Sequence, residues 1–346
     1  MSFAPYSDRP VVIVWEMTRS CRLACSHCRA TARRERDPRE LNTYESKRLI
    51  DQVAGIQPRY FILSGGDPSR RPDLLELSAY ASGLGLRVAL SPGATPDYLK
   101  LDPSALREAG VRRLSFSLDG ASAETHNRFR GVSRAWEWTM QAMRGARESG
   151  LKFQINSTIT ADTLPEFDDL ARLVTELAPA GWTIFLLVPT GRGRSAALPS
   201  AGETEDLFLK LRALSRTVSF PISTTEGQHY RRVVLQQAEK EGDARPPQVS
   251  GINDGRGFVF VSHTGDVCPS GFLPLPAGSI RRNPLLDIYR EAPLFRALRN
   301  PASLKGKCGR CEFRTICGGS RARAFAVSRD PFAEEPLCSY QPPPSR

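Results

Sequence analysis

Six short runs rich in apolar and β-branched residues recur at even intervals: 11–17 (VVIVWEM), 60–66 (YFILSGG), 86–93 (LRVALSPG), 112–120 (RRLSFSLDG), 152–160 (KFQINSTIT) and 182–191 (WTIFLLVPTG). Each has the length and composition of a buried strand. The segments between them carry helical spacing and start signals. Asn42 stands three residues before Glu45 as a capping pair, Pro72 opens the next segment, and the stretches 133–149 and 164–178 are longer. Strand alternating with helix predicts right-handed βαβ units and a parallel sheet. The units end by residue 191, short of the roughly 250 residues of a closed eight-stranded barrel. The expected α/β core is therefore a partial, open barrel of six parallel strands or a doubly wound sheet.

In either arrangement function sits at the carboxyl ends of the strands. Every run leads into an unusual loop there. Cys21, Cys25 and Cys28 follow the first, Gly65-Gly66-Asp67-Pro68 the second, Ser91-Pro92-Gly93 the third and Ser117 to Gly120 the fourth. Asn156 to Thr158 close the fifth, and Pro189 to Arg194 follow the sixth. From about residue 203 the alternation stops, and 203–255 reads as helices and a linker containing EGDARPPQVSG. A strand pair in GRGFVFVSHTGDVCPSG then opens a small α+β cysteine-bearing module over 256–346, leaving 1–202 as the core; the terminal QPPPSR is expected to fray.

Composition narrows the class. Of 346 residues, 40% are apolar, enough for a sizeable core. No stretch reaches the roughly 18 unbroken apolar residues of a membrane span, and MSFAPYSDRP lacks the regions of a signal peptide. The expected location is the cytoplasm, where thiols stay reduced, so eight cysteines in two clusters point to metal or redox chemistry more than to disulfides. The net charge of +11 is interspersed with acidic residues, which reads as a solvated basic surface or as a preference for anions. No aromatic-interleaved basic patch or nucleic-acid motif accompanies it, which argues against nucleic acid.

Cysteines at i, i+4 and i+7 between a strand and a helix converge only if the loop wraps around one object. A closed zinc site wants four ligands, and His27 is awkward as the fourth because it adjoins Cys28. Buried structural thiols suit a loop carrying Arg19, Arg22, Ser26 and Arg29 poorly. An iron-sulfur cube held by three thiolates keeps one iron free of protein.

C-x3-C-x2-C after the first strand of a partial α/β barrel resembles the radical S-adenosylmethionine (SAM) superfamily. The resemblance covers roughly residues 10–195 and implies that SAM chelates the free iron of a 4Fe-4S cluster on Cys21, Cys25 and Cys28. One electron then splits SAM into methionine and a 5'-deoxyadenosyl radical. It further implies that LSGGDP brings bare backbone at Gly65 and Gly66 to the methionyl ammonium, with Asp67 where glutamate is usual. Ser117 and Asp119 of SFSLDG would contact methionyl and ribose groups, and Arg130 of HNRFRG would pair with the SAM carboxylate. His27 takes the place of an aromatic residue near adenine, and Asn156 is grouped with these cofactor contacts. An electron donor such as flavodoxin or ferredoxin is implied as partner.

KCGRCEFRTICGGSRARAFAV places Cys308, Cys311 and Cys317 ahead of a distal Cys338. The spacing alone leaves a zinc ribbon and an iron-sulfur site open. The pattern is similar to the SPASM/twitch-type module that follows many radical SAM cores. That likeness implies one auxiliary 4Fe-4S cluster on those four cysteines. Asn283, Ser320 and Arg321 stand where ligands of a second auxiliary cluster would be, so that cluster is not expected. Cys268 is left over. It reads as an inert thiol at a strand end, a vestigial ligand, or a hydrogen-atom donor facing the barrel.

CGGSRARA and SHC resemble the branch containing the haem and haem d1 biosynthesis enzymes, which act on propionate or acetate side chains. The expected substrate is a small, anionic metabolite: a tetrapyrrole, a sugar acid or a nucleoside. Arg192 and Arg194 at the mouth of strand six suit its carboxylates, an ordinary solvated loop being the alternative. Maturation of a ribosomal peptide and a non-catalytic metal-binding module are the competing functions. Only ten residues precede strand one, so no N-terminal leader-binding domain is expected.

Overall fold

The computed structural model describes residues 5–243 and 247–343; part of the expected Pro-containing linker and the last three residues of the tail lie outside them. The six expected strands form as β1 (Val12–Glu16), β2 (Tyr60–Ser64), β3 (Val88–Leu90), β4 (Val111–Ser117), β5 (Phe153–Ile159) and β6 (Trp182–Leu186). They pair in sequence order, all parallel. The stretch expected as helices and linker also holds a strand, β7 (Ile222–Thr225), which adds in parallel to β6. Its sequence, ISTT, is short and mostly polar, so it lacks the apolar signal of the others.

A second difference lies on the opposite side. The hairpin β8 (Phe258–Val261) and β9 (Asp266–Cys268) forms as expected, but β8 also pairs in parallel with β1, Val12 opposite Phe258. With β10 (Gly278–Ser279) on β9, the C-terminal strands continue the core's own sheet. The ten strands run β10-β9-β8-β1-β2-β3-β4-β5-β6-β7, and the sheet does not close.

Side chains alternate across this curled sheet with the period of two that strands impose. Ile13, Trp15, Phe61, Leu63, Ile155 and Ile184 are fully buried on the helix-covered face. Their neighbours Val12, Val14, Ile62, Gln154, Asn156 and Thr183 line a cavity of about 480 Å³ on the other. The helices form where the sequence signals them: Thr43–Ile56 starts with a capping box of Asn42 and Glu45, and Leu74–Gly83 follows Pro72. Among the described residues no helix is long and apolar enough to cross a membrane.

Candidate active site

The loop carrying Cys21, Cys25 and Cys28 is held by the loops beside it. Its backbone donates from Cys21 N to Arg33 O (2.7 Å), Ala24 N to Arg130 O (3.1 Å) and Ser26 N to Phe129 O (3.0 Å). From the strand-two side, Gly66 N reaches Thr18 O (2.7 Å) and Asp67 N reaches Ser20 O (2.8 Å). From the strand-six side, Arg192 donates from its backbone to Cys28 O (3.0 Å), from Nε to Cys25 O (2.8 Å) and from Nη1 to Ala32 O (3.2 Å). A Cβ on Gly66 would stand 2.5 Å from Ser20 O, and one on Gly191 2.4 Å from Cys28 O; at φ +57° Gly191 is also in the left-handed region.

All three cysteines border the cavity. Their sulfurs meet donors: Leu23 N to Cys21 Sγ (3.4 Å), Ala32 N to Cys28 Sγ (3.5 Å) and Arg130 Nη1 to Cys25 Sγ (3.7 Å). N–H groups aimed at sulfur suit thiolates that carry a metal cluster. Burial, with Asp67 and the other two cysteines adding to it, pushes the Cys21 thiol up to about 12, so the thiolate forms only against a cation.

Gly65, Gly66, Ser117, Arg130, Asn156 and His27 all line the same cavity. His27 stacks on Phe129, ring centroids 4.2 Å apart at 16°. Two of the residues expected to touch SAM lie behind the wall. Asp67 is fully buried and accepts from Ser69 N and Oγ, Gly93 N and Thr95 Oγ1, which ties the loop after β2 to the loop after β3. Asp119 accepts from Thr158 N at 2.8 Å and pairs with the Arg130 guanidinium. Burial alone would raise it, but Arg130 holds its carboxyl below the usual range. Its side chain therefore positions Arg130, and it is not among the residues that line the cavity. Of the two strand-six arginines, Arg192 lines the cavity and Arg194 is exposed.

Cys268 is buried opposite Phe260, which lines the cavity, but is not itself on the cavity wall. Burial, with Asp266 and Glu16 nearby, pushes its thiol up to about 12. Ser320 donates to Glu226, and Arg321 is buried against the carbonyls of Pro331 and Ala333.

Cys308, Cys311, Cys317 and Cys338 border one small pocket of their own. Backbone N–H groups again face sulfur, from Glu335 to Cys308 (3.3 Å) and Gly319 to Cys317 (3.4 Å). Gly318 and Gly319, both at positive φ (+69° and +63°), make the turn that brings Cys317 in. Four thiols with donors behind them fit an auxiliary 4Fe-4S cluster.

Sequence reasoning missed the wall between these two sites. Glu226, Gln228, Arg231 and Asp254 line the large cavity, supplied by the turn after β7 and the approach to β8. Glu226 sits at φ +55° and is buried, and burial together with Asp254 raises its pKa well above the usual carboxylate range. The available signal was a run of polar residues, EGQHYRR, at 226–232, between the unrecognised β7 and a helix.

The chain matches the radical SAM superfamily model over residues 15–176. It is 45% identical over 342 residues to the AdoMet-dependent heme synthase of Oleidesulfovibrio alaskensis, covering 96% of this chain and 87% of the relative. It is 40% identical to the enzyme of the same name from Methanosarcina barkeri, covering 97% and 98%. At 28% it is similar to the pre-heme d1 synthase of Dinoroseobacter shibae, covering 96% and 86%. In fold it is similar to SAM-bound SuiB of Streptococcus suis, with a TM-score of 0.73 at 17% identity over 96% of this chain and 78% of that one. The three-cysteine loop, the glycine turn beside it and the full-length relatives agree: the chain belongs to the radical SAM superfamily, in the branch of the haem and haem d1 biosynthesis enzymes.

Proposed function

We propose that this radical SAM enzyme acts on a tetrapyrrole bearing carboxylate side chains, removing hydrogen beside a carboxylate-bearing carbon so that the carboxyl group leaves as carbon dioxide. The cluster and SAM, when bound, supply a 5'-deoxyadenosyl radical. Per carboxyl lost, one hydrogen atom goes to that radical and one electron goes to a one-electron acceptor, leaving a carbon-carbon double bond. An external donor of the flavodoxin or ferredoxin class would provide the electron that starts each turnover.

One observation carries the anionic substrate: two cavity-lining cations have no carboxylate partner among the described residues. Arg192 bonds only the carbonyls of Cys25 and Ala32, and its Nη2 has no partner. Arg231 bonds only the carbonyls of Ile252 and Ile316. A partly desolvated guanidinium whose hydrogen bonds go only to carbonyls, with no carboxylate paired to it, favours an anion within reach. Arg192 stands beside the three-cysteine loop and Arg231 beside Cys317, so the pair offers anion sites at both sides of the cavity. The relatives named heme synthase support a tetrapyrrole over a sugar acid or nucleoside.

The test is anaerobic turnover with dithionite, SAM and a porphyrin carrying propionates. 5'-Deoxyadenosine, carbon dioxide and a product lacking carboxyl groups are expected together. 5'-Deoxyadenosine with an unchanged porphyrin would sink the substrate assignment and leave the radical chemistry standing. Cys25→Ala is expected to abolish 5'-deoxyadenosine formation, whereas Cys311→Ala spares part of it.

A further inference from the structure

The turn entering the helix Tyr230–Lys240 is a wall shared by two sites. Gln228 and Arg231 line the large cavity, while His229 and Arg232 line the four-cysteine pocket. A three-residue spacing keeps each pair on one side of the turn. His229 is fully buried with its ring edge-on to Phe208, centroids 4.7 Å apart, and neither ring nitrogen has a partner among the described residues. Arg232 is 3% exposed; its terminal nitrogens bond Glu205 and Gln236, and its Nε has no partner. Buried donors in native proteins are nearly always satisfied. These two border a pocket whose other walls include four cysteine sulfurs.

We propose that His229 and Arg232 donate N–H hydrogen bonds to sulfur of the auxiliary cluster and so raise its reduction potential. Neither is a ligand, because Cys308, Cys311, Cys317 and Cys338 already make a full set. Hydrogen bonds to cluster sulfur stabilise the reduced, more negative state. A positive charge at Arg232 acts in the same direction. Because Arg231 faces the cavity from the adjacent position, a change of charge on the cluster and an anion in the cavity act on neighbouring residues of one helical turn.

The experiment is an EPR-monitored redox titration of the anaerobic enzyme, in a Cys25→Ala background that leaves only the four-cysteine cluster to report. Replacing the imidazole by a ring without N–H (His229→Phe) is expected to lower the equilibrium constant for reduction about tenfold, which for one electron is about 59 mV. Arg232→Met should shift it the same way, and His229→Gln, which keeps a donor, should fall between wild type and His229→Phe. An unchanged potential in His229→Phe with its cluster intact overturns the proposal. If that variant loses the cluster, pulsed EPR on enzyme containing 15N-histidine decides. A weak histidine nitrogen coupling to the reduced cluster is expected; its absence, or the strong coupling of a direct ligand, overturns the proposal.

Discussion

Arg192 Nε, delivered by the loop after β6, donates a 2.8 Å hydrogen bond to the carbonyl of Cys25 in the loop after β1. The loops after the first and sixth strands of the core, which are not neighbours in the sheet, are therefore joined at the site. Arg192→Met removes this bond, the one to Ala32 O, and the free Nη2. With bonds from a charged donor worth about 1.5–3 kcal/mol each, 5'-deoxyadenosine formation should fall at least tenfold. Arg192→Lys, a point charge without the fork, should recover only part of it. Rates measured beside iron content per chain check this.

Glu16, at the carboxyl end of β1, is fully buried and accepts from Arg29 (3.1 Å), Arg19 (3.3 Å) and His263 (2.9 Å). Burial alone would raise its pKa, but Arg29, His263 and Arg19 hold it at about 2. A carboxyl lowered on folding stabilises the protein above its unfolded value of about 4.5, and that share is lost as pH falls toward about 2. Glu16→Gln should cost about 1–3 kcal/mol at neutral pH, since it removes the charged acceptor from two partly exposed arginines and His263. Thermal midpoints from pH 7 down to pH 3 should show the gap between wild type and variant narrowing below pH 4.5; a constant gap would refute the assignment.

The glycine contacts give a graded series. Gly191→Ala and Gly66→Ala each place a Cβ within 2.5 Å of a carbonyl of the cysteine loop, and Gly191 adds left-handed strain of roughly 1–3 kcal/mol. Both should lose iron from the three-cysteine site and melt earlier. Gly83, in a helix with nothing within 4 Å of an added Cβ, is the control. Alanine there should be neutral or stabilise by up to about 1 kcal/mol.

Cys268→Ala should leave turnover and the product unchanged, because the thiol is off the cavity wall. A lower rate or a different product in that variant, with its iron content intact, would restore the hydrogen-donor reading.

What was legible in the sequence was whatever local chemistry announces. The six core strands carry apolar runs, the capping box of Asn42 and Glu45 is a short-range signal, and the cysteine spacings mark their own loops. What stayed hidden depends on pairing over long distances. Nothing in ISTT shows that it will extend a parallel sheet, and nothing in GFVFV shows that its partner is VIVWE, more than two hundred positions earlier. The direction of a carboxylate was equally invisible. Asp67 and Asp119 sit where ligand contacts were expected, yet each is engaged by a partner from another segment, Thr95 in the loop after β3 for one and Arg130 at the end of the helix Ala123–Arg130 for the other. Glu226, Gln228 and Arg231 were overlooked because their polar run looks like a solvated helix start until β7 fixes them on the cavity wall.

The place of β1 between β2 and β8 has a consequence for biosynthesis. The strand that introduces the catalytic loop is made first but acquires its second neighbour only when residues 258–261 have left the ribosome. Until then VIVWE presents a bare, apolar edge, the kind of surface on which nascent chains pair wrongly. A chain stalled before Phe258 would hold β2 against β1 and still leave the other edge of the strand that introduces the cysteine loop without its partner.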